Sequence, residues 1–398
     1  VDKEVPLDDL SVSIRLRDEN GHVWANRDYA PLGVFTKSNA PNGTGNETGN
    51  ETATGTIEEQ IGLIVPAGLA PDRYRISVGV GISGTESLLY PSGVTAETDP
   101  LVDVAMVSVL PPAAPQPISR LPIQSPLTPP ETRDGIAFLG HSGTDNAARH
   151  LAGTELDVTL FLQNRQTEPP ADILYLSLLD DGAGVGGWEG WPLPNYPMES
   201  WGEDMLVQIP VSLYLPATLE PGEYELTAGL LDPNTGEKSA PVPLGPVMVK
   251  QRSLHLEPPA MATALAQQAQ HGTHVKLLGY DQELADDAIH LTLHWQALQT
   301  LLPEHHIFVH LDDENDETLA QQDGPPTTVD GRAPSGSWLP GEYISTVHTV
   351  LLSDEASSAI GDLHLSVGVY NPDGNIRLPV SVDGVANGDA ITLPVSQP

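Results

Sequence analysis

The sequence predicts an all-β protein made of tandem antiparallel β-sandwich modules, and three observations lead to this prediction. Short runs of alternating apolar and polar residues recur along the 398 residues, separated by turn residues. Glycine (37) and proline (38) are abundant, which favours many turns over long helices. Related sequence returns at the spacing of a whole domain. Because no helical crossover pattern connects the runs, a parallel doubly wound sheet is excluded.

A ten-residue motif carries the repeat best. VPAGLAPDRY (Val65–Tyr74) and LPATLEPGEY (Leu215–Tyr224) align without a gap, and each precedes a strand with a glycine five residues after the tyrosine. A third copy, LHLSVGVY, has Leu363 at the tyrosine position and Gly368 at the glycine position. The repeat unit is therefore a domain of immunoglobulin-like size rather than a solenoid turn.

The landmarks define three related copies and two linkers. We predict a first, incomplete copy at 1–109, a proline-rich spacer at 110–130, a second copy at 131–250, a linker at 251–271 and a third copy at 272–398. The first copy is incomplete because the sequence that matches its two opening strands would lie before residue 1. In the second linker, MATALAQQAQ (Met261–Gln270) could form a short helix.

The charge excludes several classes of partner. The chain has 54 acidic and 17 basic residues, a formal net charge of −37, and no cysteine. Nucleic acid and anionic membranes are bound by Lys and Arg clusters, which are missing here, whereas an acidic surface can attract calcium. Without cysteine there is no disulfide, zinc-thiolate site or cysteine nucleophile. No apolar run reaches the roughly 18 residues that span a bilayer, so we expect no transmembrane segment in this chain.

The third copy resembles a module of known cellular setting. Its landmarks are LLGY, LTLHWQA, FVHLD, QDGP, the segment Pro334–Glu342 and the segment Gly368–Gly374. In this order they resemble a module of envelope proteins of Chloroflexota-type bacteria, which is often the soluble tail of membrane mannosyltransferase-like glycosyltransferases. The resemblance implies an extracellular or cell-surface location and transfers no catalytic residue. The phosphate-loop, dinucleotide and zinc-protease motifs are also missing from the sequence. We therefore expect a chain that is not an enzyme.

One loop is a candidate carbohydrate site. GGWEGWPLPNYPMESW (Gly186–Trp201) concentrates aromatic side chains in an aromatic-poor protein. Aromatic faces can bind the C–H side of sugar rings, and nearby polar groups can bind hydroxyls. The predicted sugar-binding residues are Trp188, Trp191, Tyr196, Glu189 and Asn195. The other interpretation is that these rings pack the loop, and Trp201, which matches Trp338, is expected to be structural.

The sequence also offers candidate metal ligands. Asp312, Asp313, Asp316 and Asp323 resemble a calcium loop without the spacing of an EF-hand, and Asp18 and Asp28 are a similar pair. Acidic hairpin turns explain these residues equally well, so the cofactor prediction is none, with calcium as the alternative. His305, His306 and His310 lie on a strand too far apart for one zinc ion, and we interpret them as polar positions on a solvated face.

Two function classes remain open. One is a non-catalytic envelope module that binds a glycan or a neighbouring envelope protein; the other is the soluble accessory tail of a glycosyltransferase. The missing strands of the first copy predict an open sheet edge that another chain could occupy, unless Val1–Leu7 and the segment from Asp99 to Leu110 close the module themselves. The N-x-T triplets at Asn42, Asn46 and Asn50 are glycan acceptors only in a eukaryotic secretory protein.

Overall fold

The computed structural model describes residues 10–29, 60–82, 88–89, 100–144, 148–285, 287–353, 356 and 360–395. The chain divides into two compact units. Unit 1 comprises Val1–Gly140, Leu160–Ile173 and Trp191–Ile209, and unit 2 comprises His141–Thr159, Leu174–Gly190 and Pro210–Pro398. The division passes through strands of the second copy. Asn42, Asn46, Asn50 and the segment Val1–Leu7 lie outside the described residues.

The first copy contributes one sheet, which lies in unit 1. Its strands are β1 (Leu10–Arg17), β2 (Val23–Tyr29), β3 (Arg73–Ile82), β4 (Leu88–Leu89) and β5 (Val102–Ser108). The sheet has the order β2-β1-β3-β4, and β5 also pairs with β3; all of these pairings are antiparallel. The strand expected between Leu101 and Leu110 is therefore confirmed.

The second copy contains two sheets. One has the strand order β12-β9-β7-β6 and the other β11-β10-β13-β14-β8. The strands are β6 (Ser125–Arg133), β7 (Ile136–Ser142), β8 (Arg149–Leu151), β9 (Glu155–Asn164), β10 (Ile173–Asp180), β11 (Ala183–Gly190), β12 (Leu206–Tyr214), β13 (Gly222–Leu231) and β14 (Val242–Lys250). The proline-rich segment is less of a free spacer than its composition suggests, because its last part is strand β6 and Leu121 is buried beside Leu139 and Phe161.

The third copy, in unit 2, is a complete sandwich. Its sheets have the orders β22-β17-β16-β15-β25-β26 and β19-β18-β23-β24, with β27 also on β23, and a short β20-β21 hairpin lies apart. The strands are β15 (Thr263–His271), β16 (Val275–Leu284), β17 (Ala288–Ala297), β18 (His306–Asp312), β19 (Thr318–Gly324), β20 (Thr327–Thr328), β21 (Gly331–Arg332), β22 (Tyr343–Leu351), β23 (His364–Asn371), β24 (Ile376–Arg377), β25 (Val380–Val382), β26 (Val385–Ala386) and β27 (Ile391–Pro394).

The sandwich of the third copy has the immunoglobulin strand order. Strands β16, β17 and β22 correspond to A, B and E of that fold, and β19, β18, β23 and β27 correspond to C′, C, F and G. Both sheets contribute to one core, in which Leu293 and Trp295 of one sheet join Val309 and Val367 of the other. The predicted all-β fold of antiparallel sandwich modules is confirmed. The elements with described bounds are strands and one-turn 3-10 helices.

The second linker differs from the sequence prediction. MATALAQQAQ does not form the short helix that its composition favours. Most of it is strand β15, which pairs antiparallel with β16 and with β25. Ala, Leu and Gln favour helices by less than 1 kcal/mol each, and the hydrogen bonds to two neighbouring strands outweigh that preference.

The repeated tyrosine motif forms the same local structure twice. The Tyr74 hydroxyl donates to the carbonyl oxygen of Ala70 at 2.8 Å, and that of Tyr224 donates to Glu220 at 2.9 Å. Each tyrosine lies at the start of the strand that corresponds to F, which is the tyrosine corner of immunoglobulin-like domains. Burial raises the pKa of both phenols, so they stay protonated donors.

Candidate functional sites

The predicted sugar-binding residues fall into both units. Trp188 and Glu189 lie on β11 in unit 2, whereas Trp191, Asn195 and Tyr196 lie in unit 1. Trp188 is half-buried, and its ring lies so close to Gly190 that a Cβ there would be 2.7 Å from it. Trp191 is the exposed tryptophan of this loop, with 48 % of the residue's surface accessible.

The rest of the loop is held by its own hydrogen bonds. The Tyr196 hydroxyl donates to the carbonyl oxygen of Ser200 at 2.9 Å, and the Tyr196 carbonyl accepts from the indole of Trp201 at 3.1 Å. The indole of Trp338 donates in the same way to the carbonyl oxygen of Ala333 at 2.8 Å, and both indoles are buried. The packing interpretation of Trp201 therefore agrees with the geometry.

Asn195 and Glu189 have partners within the protein. The Asn195 amide donates to Glu19 at 2.8 Å and to Asp72 at 3.1 Å, so it fixes the loop to the first copy within unit 1. Glu189 accepts from the ammonium of Lys238 at 2.5 Å. These side chains bind neighbouring strands and loops, and the sugar site remains a prediction that rests mainly on Trp191.

The recurring glycine leaves space for an aromatic ring of the adjacent strand. Phe308 lies across Gly368, and a Cβ on that glycine would be 2.2 Å from the ring. Tyr175 lies across Gly229 in the same way, and a Cβ on Gly229 would be 2.5 Å from its hydroxyl oxygen. A cation covers each ring, Arg377 at 4.3 Å from the centroid of Phe308 and Lys238 at 4.8 Å from that of Tyr175. The pairs are examples of cation–π contacts.

We expect Gly229→Ala to lower the stability of the second copy by about 1–3 kcal/mol, because the new methyl group overlaps the Tyr175 ring. That ring cannot move freely, since its hydroxyl donates to Ser239 at 2.9 Å. Thermal unfolding measures the change. Gly184→Ala, in an open position on the same sheet, is the matched control and should unfold at nearly the wild-type temperature. Equal midpoints for the two variants would contradict the contact.

The four predicted calcium ligands do not converge. Asp312 accepts from the Thr318 hydroxyl at 2.6 Å, and Asp313 accepts from the amides of Asn315 and Glu317 at 2.8 and 2.9 Å. These amide hydrogen bonds lower the pKa of Asp313, so this carboxylate is a charged turn-forming group.

The other two carboxylates lie next to histidines. Asp316 is 3.4 Å from His364 and Asp323 is 3.3 Å from His310. In the described part of the chain, no three His, Asp or Glu side chains form a group that could hold a metal ion. Asp18 likewise accepts from the amide of His22 at 3.0 Å and the Trp24 indole at 3.0 Å, and Asp28 lies 3.7 Å from Arg15.

The histidines of β18 are not on a solvated face, which corrects the sequence interpretation. His310 is buried and His306 is half-buried, because Phe308 and Tyr370 pack against this side of the strand. His305, which directly precedes β18, is also buried. Burial lowers the pKa of His305 and His306. The side chains of Phe308 on the same strand and Tyr370 on β23 cover this face.

The first sheet leaves part of its apolar face uncovered. Within 10–29, 60–82, 88–89 and 100–109 the structure has this one sheet, and its apolar face is packed around Leu16, Leu69 and Tyr74 at one end only. Further along the same face, Val80 and its neighbour Val102, which pairs with Val78, are 38 and 48 % exposed.

The other copies provide an internal comparison for this face. Val80 follows Tyr74 by six residues, as Leu230 follows Tyr224 and Val369 follows Leu363, and these two counterparts are 1 and 2 % exposed. In the third copy, a second sheet that includes β17 and β22 covers Val369. Among its described residues, the first copy thus has an apolar sheet face that no second sheet covers.

A buried ion pair that the sequence analysis missed joins the second linker to the third copy. The Glu342 carboxylate is fully buried and accepts hydrogen bonds from both terminal nitrogens of the Arg252 guanidinium. The Arg252 side chain is 14 % exposed. Arg252 also donates to the Ser337 hydroxyl at 2.8 Å, the Ser337 carbonyl at 2.9 Å and the Ser253 carbonyl at 3.2 Å, so five hydrogen bonds hold its guanidinium. Glu342 ends the landmark segment Pro334–Glu342, but its partner Arg252 lies 90 residues earlier and could not be identified from sequence spacing.

Comparisons with known proteins leave the chain without an assigned family. No family model matches and no curated protein matches. Among solved structures, a DUF3823 family protein from Bacteroides ovatus shares 8 % identity over 58 % of this chain and 94 % of its own, and a marsupial T cell receptor shares 13 % over 65 % and 94 %. Both have a TM-score of 0.18, too low to support any argument. Among the described residues, no helix is long and apolar enough to cross a membrane.

Proposed function

We propose that this chain is a non-catalytic binding and structural module of the cell envelope, outside the cytoplasm, and that it self-associates through its first copy. The observation that carries the proposal is the exposed apolar face at Val80 and Val102, where the repeat equivalents of Val80 are buried. Exposed apolar surface of this kind is typical of interaction sites. The resemblance to envelope modules supports the location. It equally supports the alternative of a soluble tail of a membrane glycosyltransferase.

The charge predicts how association depends on conditions. A formal net charge of −37 keeps copies apart at low ionic strength, and salt at 0.1 M screens this repulsion at distances beyond about 10 Å. Calcium binding to surface carboxylates would act in the same direction. We therefore expect dimers or larger species to increase with NaCl or CaCl₂.

Sedimentation velocity on the intact chain at low and high salt, with and without CaCl₂, tests the association. Val80→Asp and Val102→Asp place a charge on the exposed face and should abolish it, whereas Val385→Asp, at a 70 % exposed position of the third copy, should not. A chain that stays monomeric throughout, or associates equally with Asp at position 80, refutes the proposal. Labelling of intact producing cells with a membrane-impermeant amine reagent tests the location.

A further inference from the structure

A cavity of about 340 Å³ lies between the second linker and the third copy, within unit 2, and none of the predicted sugar or calcium ligands lines it. Three elements line it: the start of β22 at Tyr343, the extended segment 252–259, and the β20-β21 hairpin with Val329 and Asp330 at its turn. Its volume lies at the lower end of the roughly 300–1,000 Å³ typical of small-molecule sites.

The walls of the cavity are fixed before any ligand binds. Arg252 anchors one end of the extended segment to Glu342, and the amide of Tyr343 donates to the carbonyl of His255 at 2.8 Å. On the opposite side, Arg332 donates to the Glu304 carboxylate at 3.0 and 3.2 Å and the amide of Ala333 donates to Pro326 at 2.9 Å. Little ordering would therefore be required on binding.

The lining has two chemical sides. One side is apolar or aromatic and consists of Val329, Ala333, Pro259 and the Tyr343 side chain. Val329 is 87 % exposed, which is high for an apolar side chain. The exposed carboxylates of Asp330 and Glu257 and the exposed imidazole of His255 form the polar part of the lining. An amphipathic ligand with a C–H face and several hydroxyl donors matches both sides.

The charges disfavour an anion. The two guanidiniums in the lining are each paired with a carboxylate, Arg252 with Glu342 and Arg332 with Glu304. Asp330 and Glu257 add negative charge at the opening. A phosphate or carboxylate ligand would meet repulsion that a neutral compound does not.

We propose that this cavity binds a neutral saccharide, either one ring or the end of a chain, with the ring's C–H face on Val329 and Tyr343 and its hydroxyls donating to Asp330 and Glu257. The site deepens the binding part of the proposed function. It lies on a different copy from the association face, so the two proposals succeed or fail separately.

Saturation-transfer NMR on the intact chain tests the site, with the methyl glycosides of glucose, galactose, mannose and N-acetylglucosamine as probes. We expect transfer to the ring protons of at least one glycoside, and an affinity at least about tenfold weaker in Val329→Asp, a change of about 1.4 kcal/mol. Val329 is at an exposed turn, so this variant should keep the wild-type melting temperature. Asp330→Asn, which removes one acceptor charge, should weaken binding as well.

Val385→Asp, on another exposed hairpin of the third copy, is the matched control and should bind normally. Absence of transfer to all four glycosides overturns the proposal. So does binding that is unchanged in Val329→Asp, or equally lost in Val385→Asp.

Discussion

Arg252→Met should lower the stability of the third copy by about 3–5 kcal/mol, because it leaves the fully buried Glu342 carboxylate without its counter-ion. The remaining contact to that carboxylate is the amide of Leu339 at 3.0 Å, which cannot replace a guanidinium. Native-state amide exchange of β22 and calorimetric unfolding would both show the loss.

Arg332→Met is the matched control for this prediction. It breaks an arginine–carboxylate pair of the same copy in which Arg332 is 62 % exposed, so its cost should be about 0–1 kcal/mol. The double variant Arg252→Met with Glu342→Leu should recover much of the loss, because no charge is then left buried. If Arg252→Met unfolds no more easily than Arg332→Met, the pair is not the anchor that its geometry indicates.

Mild acid should destabilise the third copy through two buried histidines. Desolvation by burial lowers the pKa of His271 to about 4 and that of His348 to about 4. In the neutral tautomer with its proton on Nδ1, His348 donates to Gln322 at 2.6 Å and accepts from Thr346 at 2.9 Å. Neither nitrogen of His271 has a hydrogen-bond partner among the described residues.

The proton affinity of the unfolded chain determines whether acid raises or lowers the stability. In the unfolded chain these imidazoles bind a proton below about pH 6.5, whereas in the folded copy they stay neutral down to about pH 4. The unfolded state therefore binds more protons in this window, and stability falls as the pH is lowered through it. Each histidine should account for about 2–3 kcal/mol at pH 4.5 relative to pH 7.

Denaturant unfolding at pH 7 and pH 4.5 measures the effect. His271→Phe, which fills the site beside Trp295 with a group that cannot titrate, should reduce the loss between the two pH values by about half. His290→Phe, at an exposed position of β17, should leave the loss unchanged. A His271→Phe variant that loses as much stability as the wild type would show that other groups cause the acid sensitivity.

Much of the architecture could be predicted from residue patterns. Alternation identified the strands around Leu16, Leu160 and Val367, and the repeated L-x-P-x-x-Y motif marked two tyrosine corners. Turn residues were equally informative, as at Asp18–Gly21, where glycine takes a φ of 84°. These features are local, so a short stretch of chain contains their cause.

Features that depend on distant partners were not predictable in this way. Met261–Gln270 has a composition suited to a helix, yet pairing with β16 and β25 makes most of it a strand. His310 has the spacing of an outward position, but the side chains of the neighbouring strands bury it. The four aspartates from Asp312 to Asp323 are close in sequence, but each has a different partner in the structure.

The sequence by itself determined that this is an all-β chain of antiparallel sandwich modules, because strand alternation and turn chemistry act over short distances along the chain. Only the tertiary structure decided which surfaces remain available. Arg252 meets Glu342 across 90 residues, Val80 stays exposed where Leu230 is buried, and the cavity beside Tyr343 exists because three separate segments meet there. Such contacts depend on packing between strands far apart in the chain, and no local pattern encodes them.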